Sequence, residues 1–287
     1  MTVLLHWLAL WPLRLLHRLG ACLGWVTYAL SPSYRRRLQD NAGRAALTAV
    51  QRRAAVGQAG RMVAELPWLW LPPRGRQIDD WVQWRGDTLM EEALEAGRGL
   101  VLLTPHLGSF EVCAQAYASR WGARAPMTAL YRPARQAWLR EVEESSRQRP
   151  GLLTAPANLS GVRQMVRALR RGETVGLLPD QVPPDGMGVW APFFSEPAYT
   201  MTLASRLLEQ TGAGLLLMWA ERRPSGEGWV VHVLRPDDEP GMEGDRSPLA
   251  INRFMEGLIR LAPEQYLWGY HRYKQPRQPG GRASGEG

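Results

Sequence analysis

The sequence predicts an α/β fold, with a mostly parallel central sheet covered by helices and an apolar helical segment in front of it. Three observations predict it. Short apolar runs alternate with amphipathic stretches from residue 81 onward, the spacing of βαβ units whose helices cover both sheet faces. The run Leu100-Val101-Leu102-Leu103 is apolar throughout, as a strand buried on both faces must be. Residues 1–30 are rich in Leu and Trp at helical spacing and lack the strand pattern altogether.

In order along the chain, residues 34–70 read as helical and end at the breaker Leu71-Pro72-Pro73-Arg74-Gly75. A strand is expected over 81–85 and a helix over 88–96, stopped by Gly97. The buried strand 100–104 leads into a helix over 109–119, and a strand over 127–131 precedes helices at 135–147 and 159–170. Then come a strand at 174–178, a helix at 200–210, strands at 215–220 and 229–234, and a last long helix at 248–261. The expected organisation is a helical segment over 1–33, one catalytic domain over 34–274 and an unstructured tail over 275–287, rich in Gly, Pro, Arg and Ser.

With 45% hydrophobic and 22% charged residues, the 287-residue chain is a folded protein with a sizeable core. Its net charge of +8 is carried almost wholly by arginine, since Lys274 is the single lysine. The planar guanidinium suits bidentate contact with phosphate, so an anionic headgroup, an acidic carrier protein and a nucleic acid are all admissible partners. Scattered arginines and the lack of a recognisable nucleic-acid module argue against the last. Cys22 and Cys113 stand at unrelated positions, giving neither metal spacing nor a disulfide framework and fitting a reducing compartment.

Residues 1–30 are interrupted by Pro12, Arg14, His17 and Arg18, so no clean run of about 20 apolar residues exists to cross a bilayer. Arg14, His17 and Arg18 share one helical face, while Leu8, Trp11, Leu15 and Leu19 share another. A helix lying in the membrane interface is built this way. The first basic residue follows the apolar stretch, the reverse of a signal peptide, so the segment is expected to be retained. Seven of the thirteen tryptophans lie in the first 84 residues, and indole favours headgroup depth, although Trp81 and Trp84 fit core positions as well. The run Arg35-Arg36-Arg37 suits a cytoplasmic side or a solvated helix face.

Two strand ends are chemically loaded: 100–104, running into Pro105-His106-Leu107-Gly108-Ser109-Phe110-Glu111, and 174–178, running into Pro179-Asp180-Gln181. His106 and Glu111, five apart, would lie about 140° apart on a continuous helix, so they meet only if the histidine sits outside it. The sequence supplies that arrangement. Gly108 permits a sharp turn, Ser109 can cap, and Glu111 falls in the first helical turn, where a carboxylate is favoured. Such a carboxylate would fix the imidazole tautomer and leave the other nitrogen as a general base. The spacing alone is weak: about half a match is expected by chance, and it also occurs at His232 and Asp237, where Pro236 and the surrounding strand prevent the turn. Without a Gly-x-Ser-x-Gly elbow, a zinc helix or a phosphate loop, the nucleophile has to come from substrate, which points to group transfer.

Several blocks in order resemble the bacterial lipid A biosynthesis (late) acyltransferases of the lysophospholipid acyltransferase superfamily. They are the His106-x4-Glu111 motif, Leu130-Tyr131-Arg132-Pro133, Arg147-Gln148-Arg149 and Leu178-Pro179-Asp180-Gln181, then Ala191-Pro192-Phe193-Phe194 with Ala198-Tyr199-Thr200. Pro263-Glu264-Gln265-Tyr266-Leu267-Trp268 with His271-Arg272-Tyr273-Lys274 completes the set. The resemblance implies a glycerolipid acyltransferase-like sheet, an acyl-carrier-protein thioester as donor and a hydroxyl of a membrane glycolipid as acceptor. It implies no metal or dissociable cofactor, and a place at the cytoplasmic face of the cell inner membrane. It carries the catalytic pair onto His106 and Glu111, and substrate contacts onto Arg132, Arg147, Arg149, Asp180 and Gln181, although for Asp180 and Gln181, at a strand end beside the site, a structural or orienting role is favoured slightly over a direct one. Two departures leave the acceptor open. Ser195-Glu196 replaces a glycine common in the family, and His271 stands further from Trp268 than is usual there. A different lipid acceptor, or hydrolysis of a thioester or lipid by the same pair, remains the alternative, as does a non-enzymatic basic protein.

Overall fold

The computed structural model describes residues 2–131, 149–236 and 244–276, with the side chains of Thr2 and Tyr131 left aside. The helix expected over 135–147, with Arg132 and Arg147, lies outside the described residues.

The chain opens with α1 (Thr2–Ala9) and α2 (Leu13–Leu30), separated at Pro12, whose fixed φ and missing N–H suit a helix start. Ser31 caps α3 (Pro32–Arg44) by accepting from the Tyr34 N–H, and Thr48 and Gln51 form a capping box on α4 (Ala49–Ala64). A short α5 (Leu66–Trp70) follows. Glycines set how closely α2 and α4 approach: a Cβ on Gly60 would stand 1.9 Å from the Gly20 carbonyl oxygen. Among the described residues no helix is long and apolar enough to cross a membrane. The face of α2 turned to the protein carries Leu13, Leu16, His17, Gly20 and Gly24. His17 therefore departs from the expected polar face. It is buried, and its Nε2 donates to Glu65 at 3.0 Å.

A seven-stranded sheet follows, made of β1 (Val82–Arg85), β2 (Leu100–Leu103), β3 (Met127–Tyr131), β4 (Leu152–Pro156), β5 (Thr174–Leu177), β8 (Gly214–Arg222) and β9 (Trp229–Leu234). Its order is β1-β9-β8-β2-β5-β3-β4, and only the β8–β9 pair is antiparallel. Period-two alternation sends Val101, Leu103, Leu215 and Leu217 into one core and Leu100, Leu102, Leu216 and Met218 into the other. The first core is covered by α8 (Leu159–Arg170), α9 (Leu203–Thr211) and α10 (Pro248–Leu261); the second by α6 (Asp87–Glu95) and α7 (Phe110–Trp121). The expected α/β architecture with a mostly parallel sheet is thus observed. Trp68 and Trp70 are buried, Trp81 and Trp84 lie in ring contacts with Trp68 and Trp121, and Trp7 and Trp25 are exposed.

Two features escaped the sequence pattern. Strand β4 is an edge strand with Leu153 and Thr154 turned to solvent, so it lacks a long apolar run. The hairpin of β6 (Gly188–Phe193) and β7 (Glu196–Met201) turns on Phe194 and Ser195, both at positive φ (47° and 65°), without the glycine that marks such turns. Since β7 includes Thr200, the helix expected from 200 starts only at Leu203. The Phe194 N–H donates to Glu256 and holds the strained turn. Ser195→Gly is expected to raise stability by about 0.5–1 kcal/mol by relieving the left-handed backbone, as measured by denaturant unfolding.

Candidate active site

Strands β2 and β5 are parallel neighbours whose paired residues are 74 apart, from Leu100↔Thr174 to Leu103↔Leu177. Carried three residues past the strand ends, that register sets Pro105 beside Pro179 and His106 beside Asp180. The contact follows. His106 Nδ1 lies 2.7 Å from Asp180 Oδ1, and the His106 backbone N–H donates to Asp180 Oδ2 at 2.9 Å. Asp180 is 1% exposed and the histidine side chain 15%, so the carboxylate is fixed while the ring keeps one edge open. On that other edge, Gln181 Nε2 stands 2.9 Å from His106 Nε2. With Nδ1–H donated to the carboxylate, Nε2 holds a lone pair that accepts from the glutamine amide.

Burial would raise the Asp180 carboxyl, but the His106 imidazole, its backbone N–H and the field of Arg272 overcome this and hold it below the ordinary carboxylate range. The carboxylate is therefore ionised wherever the protein is folded near neutral pH. Tyr266 hydrogen-bonds the same carboxylate, and its phenol is pushed well above its usual value by burial first and by Asp180 second, so it stays a donor. Arg272, 2% exposed, donates to the Tyr199 carbonyl and to Thr200 Oγ1.

The turn carrying His106 is pinned on both sides. The His106 carbonyl accepts from the Leu267 N–H, the Gly108 N–H donates to the Gln265 carbonyl, and the Ser109 N–H to the Ala220 carbonyl. Gly108 has φ +59°, and a Cβ there would sit 1.9 Å from the Ala220 oxygen, so no other residue fits. Behind it Arg222 Nη2 donates to the Gly108 carbonyl at 3.0 Å, and the same guanidinium grips Glu65 through Nε and Nη2 at 2.9 and 2.7 Å. Nothing in the local sequence marks this buried group.

The expected carboxylate–imidazole bond is thus made by a different acid. Glu111 does occupy the first turn of α7, but its Oε2 accepts from Trp70 Nε1 at 3.4 Å, while both ring nitrogens of His106 meet the Asp180–Gln181 strand end. Ser109 makes no side-chain cap, contrary to expectation. Arg149 donates to the Leu69 carbonyl at 2.9 Å, one residue from Trp70, so the short α5 gathers Arg149 and Glu111 at its end. Burial pushes the Arg149 guanidinium below its usual value. Nearby Cys113 is no nucleophile, because burial pushes its thiol up to about 12.

The arrangement is an imidazole with one nitrogen anchored to an ionised, buried carboxylate and the other meeting the Gln181 amide, the geometry of a general base for a substrate hydroxyl. Comparison with known proteins agrees with a group-transfer site. The sequence matches the family described as bacterial lipid A biosynthesis acyltransferase over residues 1–275. It is 27% identical over 217 residues to the lipid A biosynthesis lauroyltransferase of Escherichia coli K12, covering 75% of this chain and 68% of that protein. It is 28% identical over 215 residues to the palmitoleoyltransferase of the same organism, covering 73% and 66%. A lipid A biosynthesis acyltransferase of Haemophilus influenzae is 26% identical over 212 residues, covering 73% and 65%. The match thus spans about two thirds of the relatives' own length. By a family match that runs through nearly all of its length, the chain belongs to the bacterial lipid A biosynthesis acyltransferases.

Proposed function

We propose that the protein transfers a fatty acyl chain from an acyl-carrier-protein thioester to a hydroxyl of a lipid A precursor, with His106 as the base. The observation that carries the reading is the His106 ring held between Asp180 and Gln181, with Nδ1 fixed and Nε2 facing a removable amide. The acceptor hydroxyl displaces the Gln181 amide and hydrogen-bonds to Nε2. As its oxygen attacks the thioester carbonyl, its proton passes to Nε2, and Asp180 stabilises the imidazolium. Collapse of the tetrahedral intermediate breaks the C–S bond, and the imidazolium returns the proton to the departing thiolate, so proton and charge balance with a thiol and an ester as products.

Gln181 then serves as placeholder and as donor to the incoming oxygen. Glu111 is the second carboxylate of this turn, positioned by Trp70. Arg149 supplies a partly desolvated cation for the developing oxyanion or a substrate phosphate. Arg132 and Arg147 take substrate contacts by resemblance to the family. The site of action in this reading is the cytoplasmic face of the inner membrane, supported by the exposed apolar residues Leu15, Leu19, Leu23, Val26 and Leu30 along one side of α2. The decisive experiment incubates purified protein with acyl-carrier-protein thioester and a lipid A precursor and looks for the ester by mass spectrometry. Free fatty acid in place of the ester would assign a hydrolase, and no product at all would sink the reading.

A further inference from the structure

Charge and exposed apolar surface coincide at the N-terminal end of the chain. Residues 1–60 hold eight arginines (14, 18, 35, 36, 37, 44, 52, 53) and one acid, Asp40, a balance of 8 − 1 = +7 out of the whole chain's +8. Ten large hydrophobic residues between Val3 and Leu30 are exposed, among them Trp7 (53%) and Trp25 (44%). Between α2, α3 and α4 lies a cavity of about 400 Å³. Leu38 and Val56, each 1% exposed, form its floor, Trp25 and Tyr28 one wall, and Arg52 and Arg53 another. Gln39 Nε2 donates to the Tyr28 hydroxyl and fixes that ring at the rim. Among the described residues the guanidinium groups of Arg52 and Arg53 meet no acid, whereas those of Arg120, Arg124, Arg171, Arg222, Arg223, Arg235 and Arg260 all do.

We propose that this groove binds the headgroup of an anionic phospholipid, at a place separate from His106. The exposed apolar residues of α2 would lie among the acyl chains, with Trp25 and Tyr28, on another face of the same helix, at headgroup depth, where amphipathic rings settle. Arg52 and Arg53, one turn into α4, then meet the phosphodiester as a pair of planar donors, and glycerol carbons cover Leu38 and Val56. An apolar floor with unpaired cations on the wall suits a lipid phosphate and does not suit a neutral lipid or a peptide helix with its own basic residues. Trp25, itself 44% exposed, sets an indole at the groove's mouth, which a free anion in solution has no need of. Vesicle binding requires neither acyl donor nor acceptor, so its outcome is independent of whether the acyl-transfer reading holds.

The test is flotation of the full chain with phosphatidylcholine vesicles, with and without phosphatidylglycerol, comparing wild type, R52Q/R53Q and the control pair R163Q/R167Q. Arg163 and Arg167 are exposed on α8 and remove the same charge elsewhere. Each cation at an anionic surface is worth about fivefold in partition, so R52Q/R53Q is expected to bind phosphatidylglycerol vesicles about 30-fold more weakly. Its binding to pure phosphatidylcholine and its unfolding midpoint should match wild type. Arg53→Gln alone, at an exposed position, should lose about fivefold and serves if the double variant folds poorly. The proposal fails if R52Q/R53Q binds like wild type, if the control pair loses as much, or if wild type binds both vesicles equally. It also fails if soluble glycerophosphoglycerol at millimolar level occupies the groove without any vesicle preference.

Discussion

Asp180→Asn is expected to lower kcat for acyl transfer by about 10³–10⁴ while leaving KM for the acceptor within a few-fold, read by steady-state kinetics on a variant whose circular dichroism matches wild type. The reason lies in which atoms face His106. Asp180 Oδ1 takes the Nδ1 proton and Oδ2 the backbone N–H, so the carboxylate fixes both the tautomer and the turn. An asparagine keeps one oxygen for the backbone N–H and turns its amide hydrogens to Nδ1. That puts the ring proton on Nε2 and removes the lone pair that receives the acceptor proton. It also withdraws the negative charge that stabilises the imidazolium. Glu111→Gln is the control for the pairing drawn from the sequence: if Glu111 orients the ring, that substitution carries the large kcat loss and Asp180→Asn the small one. The pH dependence has a defined sign. Because the folded carboxyl is held below its ordinary range, its contribution to stability is fully present above about pH 3.8 and fades as pH falls through the depressed value. Asp180→Asn should therefore flatten the acid side of the stability curve.

The sheet was legible because its strands carry their period locally. The run Leu100-Val101-Leu102-Leu103 announces burial on both faces without reference to any other segment. Both functional strand ends were legible for the same reason, each closing on a proline and a polar group. Which two strands lie side by side is not a local property, and the pairing of His106 with Asp180 depends on it. Superposing Leu103-Thr104-Pro105-His106 on Leu177-Leu178-Pro179-Asp180 would have put the histidine opposite the aspartate, provided β2 and β5 were assumed adjacent. The acid five residues away was favoured because proximity in sequence is visible and register is not. The hairpin at Phe194 and Ser195 was hidden differently: its left-handed turn is held by a tertiary bond to Glu256, so the usual glycine signal is absent. Least legible was Glu65, whose partners His17 and Arg222 lie 48 and 157 residues away on elements with no shared pattern.

That hidden cluster yields the largest expected effect on stability. Glu65 and Arg222 are 1% and 4% exposed, and the carboxylate accepts two guanidinium bonds and one from His17. Burial would raise the Glu65 carboxyl, but the charge and hydrogen bonds of Arg222, with those of His17, bring it down to about 2. Glu65→Leu leaves a buried guanidinium without its counter-charge and is expected to cost about 3–5 kcal/mol in urea unfolding. The double variant Glu65→Leu/Arg222→Met removes both charges and should recover most of that loss, because apolar groups of similar volume replace a buried ion pair at little cost. Activity should not recover with it. Arg222 also donates to the Gly108 carbonyl, so the methionine, which keeps the backbone N–H to Gln265, removes that bond and leaves the histidine turn held by its backbone partners alone. A shift of the ring by a fraction of an ångström is enough for a kcat loss on the order of tenfold to 10²-fold. Stability regained with kcat still low separates a turn-positioning arginine from one that merely neutralises Glu65; recovery of both would assign it the second role. The pH signature runs in one direction. With the folded carboxyl near 2 and its ordinary value 4.5, the cluster stabilises fully above about pH 4.5 and loses its contribution between there and pH 2. In that window Glu65→Gln should reduce the slope of unfolding free energy against pH by up to about 1.4 kcal/mol per pH unit, the share of one proton.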